Sequence, residues 1–353
     1  MSRFFSEKYA ALTPYVPGEQ PRDMQYLKLN TNESPFPPIP AVVEAAREEA
    51  SRAHLYSDPT ALALRQAIAN RLGVTPDMVI AVNGSDEALN FAFMAFCDGG
   101  AVFPDVTYGF YPVFARLNGI PYEEIPLRDD FTVDPEDYAA RPGKTVFLAN
   151  PNAPTGIFLP LASVERIAAS DPGRVLVVDE AYVDFGGESA VTLIPQYPNL
   201  LVVRTFSKSR SLAGARLGFA VGQPALIADL ETIRNSTNPY NVNRMTLAMG
   251  TASLAHDDVN LGNCKTVADV RDRTAEVLRS LGFEVLPSSA NFLFARHPGI
   301  GGEDLYRKLR ARGILVRHFS LPRIRDYNRI TVGSAEQMKT FVAAVREILE
   351  DPS

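Results

Sequence analysis

Short apolar runs recur through the first two thirds of this chain: MVIAV, GAVF, TVFLA, VLVVD, LLVVR and GFAVG. Each is too short for a stable helix and most are closed by Asn, Gly, Asp or a Ser-rich turn. Consecutive apolar positions bury both faces of a strand, which requires helices on both sides of the sheet. Helical stretches stand between some of the runs, at Ala61–Leu72, Ser85–Cys97 and Leu161–Ser170. The alternation predicts an α/β fold with a mainly parallel sheet. Ligands of such sheets gather at the carboxyl ends of the strands. Those ends carry Gly84-Ser85, Asn150 to Gly156, Asp179 to Tyr182 and Thr205 to Lys208.

Residues 1–35 hold too many prolines for helix, in LTPYVPGEQP and NESPFPPIP, and read as an extended arm. Residues 36–240 form the expected large domain, opening on a helix from about Pro40 to Ala53. The polar stretch RNSTNPYNVNR, around Ile233 to Asn243, reads as a hinge. Residues 241–353 form a smaller α/β domain, with a helix near Val267 to Leu281 and strands EVLP, NFLFA, ILVRHF and RITVG. Helices at Glu303–Arg312 and Ala335–Glu350 complete it. The 353 residues are 46% apolar, enough for one large core and a smaller one. The net charge of -6 argues against a general nucleic-acid binder. Cys97 and Cys264 lack metal-ligand spacing, which points to a reduced, cytoplasmic setting and no metal. The N-terminus has no signal-peptide core, and no apolar run approaches the ~20 residues that span a membrane.

The strand ends carry polar groups in a telling order. NGSDEALNFAF ends a strand in Asn-Gly and opens a helix at Ser85-Asp86-Glu87. The free N–H groups there suit a phosphate, or Ser85 simply caps the helix. TYGFYPVF offers Tyr108, Phe110 or Tyr111 to stack on a planar ring. NPNAPTG, Asn150 to Gly156, is a rigid turn with free Asn side chains. Asp179 ends an apolar strand, where a carboxylate needs a partner, either a protonated ring nitrogen or a helix to cap. Tyr182 follows. RTFSKSRSLAGARLG places Lys208 between Ser207 and Ser209, with Arg216 beyond. Among the C-terminal arginines, Arg317 and Arg329 are candidate anion forks, whereas Arg323 and Arg325 read as solvated loop. Phosphate cup, aromatic, Asn turn, strand-end Asp, Tyr, lysine and arginine together are the parts that hold pyridoxal phosphate.

NPNAPTG, DEAY and SKSRSLAGARLG resemble the fold-type I aminotransferases, and most closely the histidinol-phosphate aminotransferase family. LTPYVPG, LNTNESPF, the YSDPT turn, NGSDE and RITVG extend the resemblance over nearly the whole chain. It implies a three-layer large domain like that of aspartate aminotransferase, plus a smaller C-terminal domain. By matching position it implies Lys208 as the internal-aldimine lysine, Asp179 as the partner of the pyridine nitrogen, and Tyr182 beside the phenolic oxygen. Ser85, Asp86, Ser207 and Arg216 match the phosphate cup, with Asp86 offering its backbone N–H, and Tyr108 matches the stacking ring. Tyr56 resembles the tyrosine that reaches the partner subunit's cofactor, which implies a homodimer. Tyr15, Asn32, Arg317 and Arg329 match the substrate pocket. The family's turn is Pro-Asn-Asn-Pro-Thr-Gly, and Ala153 replaces its second Asn. Either Asn152 takes over that contact with the phenolic oxygen, or Tyr182 makes it alone.

The expected reaction is a ping-pong transamination from an amino donor to 2-oxoglutarate, with L-histidinol phosphate favoured by the resemblance. An aromatic amino acid aminotransferase and a lyase like threonine-phosphate decarboxylase share these motifs. A non-catalytic regulatory module on the same fold would need a DNA-binding extension, and the arm leads straight into the core pattern.

Overall fold

The computed structural model describes residues 2–10 and 12–350. Met1 and Ala11 of the expected arm, and 351–353 of the expected small domain, lie outside the described residues. The arm ends in a short strand, β1 (Leu27–Lys28). The predicted apolar runs become β2 (Val79–Val82), β3 (Ala101–Pro104), β5 (Thr145–Ala149), β6 (Leu176–Asp179), β7 (Leu200–Thr205) and β8 (Gly218–Val221). With β4 (Tyr122–Ile125) they form one seven-stranded sheet in the order β2-β8-β7-β6-β5-β3-β4. Only β8 runs against its neighbours.

Both faces of this sheet are covered, which is why its strands, apart from the edge strand β4, read as apolar runs. On β7, Leu200 and Val202 join one core with Leu64, Ile68, Val164 and Ile167. Leu201 and Val203 point the other way, into a core with Leu89, Phe93, Ile227 and Leu230. Helices Leu62–Leu72 and Leu161–Ser170 supply the first layer, and Ser85–Phe96 and Pro224–Thr237 the second.

The C-terminal part builds a separate antiparallel sheet from β9 (Glu284–Val285), β10 (Phe292–Arg296), β12 (Arg317–His318) and β13 (Asn328–Thr331). Its core draws on helices Asp257–Ser280, Gly302–Ala311 and Ala335–Glu350 through Val270, Leu278, Leu309, Phe341 and Ile348. Leu29 of the N-terminal segment enters the same core. Among the described residues no helix is long and apolar enough to cross a membrane.

Three details depart from the sequence reading. ILVRHF is not one strand: β11 (Ile314–Leu315) pairs in parallel with β1, and β12 pairs with β13. The expected hinge begins later, because Ile233–Thr237 completes a helix in which Arg234 is buried while Asn235, Ser236 and Thr237 face solvent. Beyond it, helix Arg244–Ala255 packs Leu247, Met249 and Leu254 on the large sheet's core, so the switch to the second core falls near Cys264 rather than at residue 241.

Candidate active site

A cavity of about 260 Å³ opens at the carboxyl ends of β2, β6 and β7. It is lined by Ser85, Asp86, Tyr108, Asp179, Tyr182, Ser207, Lys208 and Arg216 from the large sheet. Tyr15 and Asn32 enter from the N-terminal segment, and Arg317 and Arg329 from the small sheet. Of the sequence candidates, Asn152 and Tyr56 are not among its walls.

Lys208 lies in the irregular turn after β7, and its Nζ donates to the Thr31 carbonyl oxygen at 3.0 Å. Burial, then the neighbouring Arg329, pushes its amine down to about 8. A proton-free amine is therefore accessible near neutral pH. Asp179 is buried at the end of β6. Its carboxylate accepts from the Ala181 N–H at 3.2 Å and from the Tyr111 hydroxyl at 3.4 Å, and no cation among the described residues pairs with it. Burial, then the charge of Asp86, pushes it up to about 7. Tyr182 accepts from Asn32 Nδ2 at 2.9 Å, so its own hydroxyl proton is free to donate elsewhere.

The anion cup is built by backbone geometry. Gly84 has φ 75° and ψ 157°, a region open to glycine, and starts helix Ser85–Phe96. A Cβ at Gly84 would stand 2.5 Å from Arg216 Nη2, so the guanidinium would have to shift from its present place against the bare glycine. Glu87 accepts from the Asn83 N–H at 2.7 Å and fixes the entry to the helix. Asp86 does more than lend an N–H: its carboxylate accepts from the Tyr108 hydroxyl at 2.7 Å and from Arg216 at 3.1 Å.

Asn152 is engaged behind the cavity rather than on its wall. Its amide is consumed within the turn region, donating to Val106 O and Thr155 Oγ1 and accepting from Thr107 Oγ1. Ala153 itself lines the cavity. Tyr56 is 77% exposed and stacks on Tyr240 at 4.4 Å.

Arg317 and Arg329 are direct partners across β12 and β13, so the two side chains leave the same face. Two guanidinium groups on one rung repel unless an anion joins them. Arg329 Nη2 donates to Asn30 O at 3.2 Å, while its buried Nε has no partner. Arg317 holds the carbonyls of Val16 and Pro17. Tyr15 stacks on Phe110 at 4.2 Å and roofs the cavity. The carbonyl of Thr31 and the side chain of Asn30 escaped the sequence reading, because a backbone acceptor and one Asn in an irregular segment leave no pattern.

These walls fit pyridoxal phosphate: a buried carboxylate without a cation, a glycine-shaped anion cup, and an amine between them.

The profile of aminotransferase class I and II matches residues 24–345. Histidinol-phosphate aminotransferase 2 of Dechloromonas aromatica is 49% identical over 354 residues, covering 99% of both chains. The histidinol-phosphate aminotransferase of Aromatoleum aromaticum is 50% identical over 356 residues, covering 99% of this chain and 100% of its own. The crystal structure of histidinol-phosphate aminotransferase from Sinorhizobium meliloti in complex with pyridoxal-5'-phosphate superposes with a TM-score of 0.90 at 26% identity, covering 100% of this chain and 99% of that one. Aspartate aminotransferase from Thermus thermophilus with maleate shares the fold, with a TM-score of 0.78 at 21% identity and 92% of each chain covered.

Proposed function

The chain belongs to the class I and II aminotransferases, and among them to the histidinol-phosphate aminotransferase family; from that premise we propose that it is a pyridoxal-phosphate-dependent L-histidinol-phosphate:2-oxoglutarate aminotransferase of histidine biosynthesis. The observation that carries the substrate reading is the Arg317–Arg329 rung, two cations aimed into the cavity with a guanidinium nitrogen still unpaired. A phosphate on the amino donor answers both charges.

When bound, pyridoxal phosphate supplies an electron sink for the carbanion formed at the donor's α-carbon. Lys208 Nζ is the amine that would hold the cofactor and would serve as the base for the proton on that carbon. Asp179 would hold a positive charge on the ring nitrogen. The Tyr182 hydroxyl, fixed by Asn32, donates toward the phenolic oxygen. Ser85, Ser207 and Arg216 hold the phosphate, and Asp86 keeps Tyr108 and Arg216 in place. Tyr15 excludes water from above.

The working unit is proposed to be a cytoplasmic homodimer. Tyr56 is not among the walls of its own cavity and stands on an exposed aromatic pair, which suits a residue that completes the partner's phosphate site.

A donor panel tests the reading. Loss of the cofactor's visible absorbance is followed with histidinol phosphate, phenylalanine and tyrosine side by side, with glutamate formation from 2-oxoglutarate as the second readout. Histidinol phosphate is expected to react fastest and to yield glutamate. A faster reaction with the aromatic acids would transfer the assignment to an aromatic aminotransferase. Carbon dioxide release without glutamate would make it a lyase.

A further inference from the structure

Lys208 sits in a turn without helix or strand hydrogen bonding, so something other than a ladder must fix it. Two arginines flank it, Arg204 on β7 and Arg210 just beyond. Arg204 Nη2 donates to Asp184 Oδ1, and Arg210 Nη1 donates to Asp184 Oδ2. Asp184 belongs to the short turn Val183–Phe185, directly after Tyr182 and close behind Asp179. One carboxylate therefore grips the lysine turn from both sides and ties it to the segment that bears the two ring partners. The three side chains are 15%, 8% and 7% exposed for Asp184, Arg204 and Arg210, and none lines the cavity. Arg210 continues outward, with Nη2 2.8 Å from Asp257 Oδ1, and Asp257 Oδ2 lies 2.6 Å from Arg71 Nε.

From this geometry we propose that Asp184 is the positioning residue of the site: it sets the distance between Lys208 and the Asp179–Tyr182 segment so that amine and ring partners meet one cofactor. The proposal rests on the reading of Lys208 as the cofactor lysine. Burial opposes the charge on Asp184, but Arg204 and Arg210 outweigh it and hold the carboxyl well below the usual carboxylate range, so the grip persists at working pH. Around Lys208 itself, Arg329 and Arg216 disfavour the proton, while Glu33 and Asp86 favour it.

The test reads the titration of Lys208 in cofactor-free protein. Trace acetylation with acetic anhydride across the neutral to alkaline range, quantified on the Lys208 peptide by mass spectrometry, gives the midpoint. The wild type is expected at about 8. Asp184→Glu keeps the charge but lengthens the arm, and its midpoint is expected to rise by about one pH unit as water reaches Nζ. Asp184→Asn is expected to shift it further. Asp257→Asn removes the other carboxylate on Arg210 and is expected to lower the melting temperature while leaving the midpoint in place. Folded Asp184 variants with a wild-type midpoint, or an equal shift in Asp257→Asn, would overturn the proposal. Should the Asp184 variants not fold, Arg210→Lys carries the same expectation, and an unmoved midpoint there overturns it. Wild-type Lys208 that pyridoxal phosphate and borohydride never label would instead overturn the cofactor-lysine reading, whatever the role of Asp184.

Discussion

Asp179 concentrates the conflict between folding and binding in one side chain. Folded, it keeps its proton up to about 7, against an ordinary 3.8. A raised value means that its contribution to stability is complete below the ordinary value and is lost as pH rises through about 7. Above that pH, cofactor-free Asp179→Asn is expected to be more stable than the cofactor-free parent by roughly 1–3 kcal/mol. With pyridoxal phosphate added the order should reverse, because a cationic ring nitrogen stabilises the buried carboxylate and not the amide. Thermal melts with and without cofactor read both signs, and identical melting of the two cofactor-free proteins at alkaline pH would refute the account. Lys208 shows the complementary case, a cation whose proton is loosened by burial and by Arg329.

At the scale of elements, the site depends on where strands stop. The β2–helix junction makes the anion cup, and Gly84 is its tightest point. Gly84→Ala is expected to cost ~1–3 kcal/mol in folding from the disfavoured backbone alone. It should also displace Arg216 and weaken pyridoxal phosphate binding at least about tenfold, ~1.4 kcal/mol, as read by fluorescence titration of cofactor-free protein. Unchanged affinity would mean that Arg216 does not serve the phosphate. Six strands of the large sheet were legible in the sequence because burial on both faces writes an unbroken apolar run; edge strand β4, Tyr-Glu-Glu-Ile and only partly buried, was not. Also legible were Ser85, Asp179 and Lys208, which interrupt those runs at their ends. Helix Arg244–Ala255 was not, since its small residues Ala248, Gly250 and Ala252 dilute the apolar period. The direction of Asn152 was hidden for another reason: a turn motif names its side chains but not which way they face, and here the amide donates to Val106 and Thr155. The split of ILVRHF between β11 and β12 was equally hidden, because β11 pairs with β1, far away in sequence, while β12 pairs with β13.

Across the whole molecule, one chain brings together three distant parts: the N-terminal segment, the large sheet and the small sheet. Tyr56 is exposed and not among the walls of the cavity, which makes the proposed dimer testable by complementation. Tyr56→Ala and Lys208→Ala homodimers are each expected to be impaired, and a refolded equal mixture should recover about a quarter of wild-type turnover, since half the dimers are hybrids with one intact site. No recovery would place Tyr56 outside the partner's site. The central claim, that Lys208 anchors pyridoxal phosphate, is tested most directly by borohydride reduction of the cofactor-loaded protein followed by peptide mass spectrometry. The account predicts one reduced pyridoxyl group per chain, on Lys208, and none in Lys208→Ala; a label on another lysine, or an undiminished label in Lys208→Ala, would contradict it.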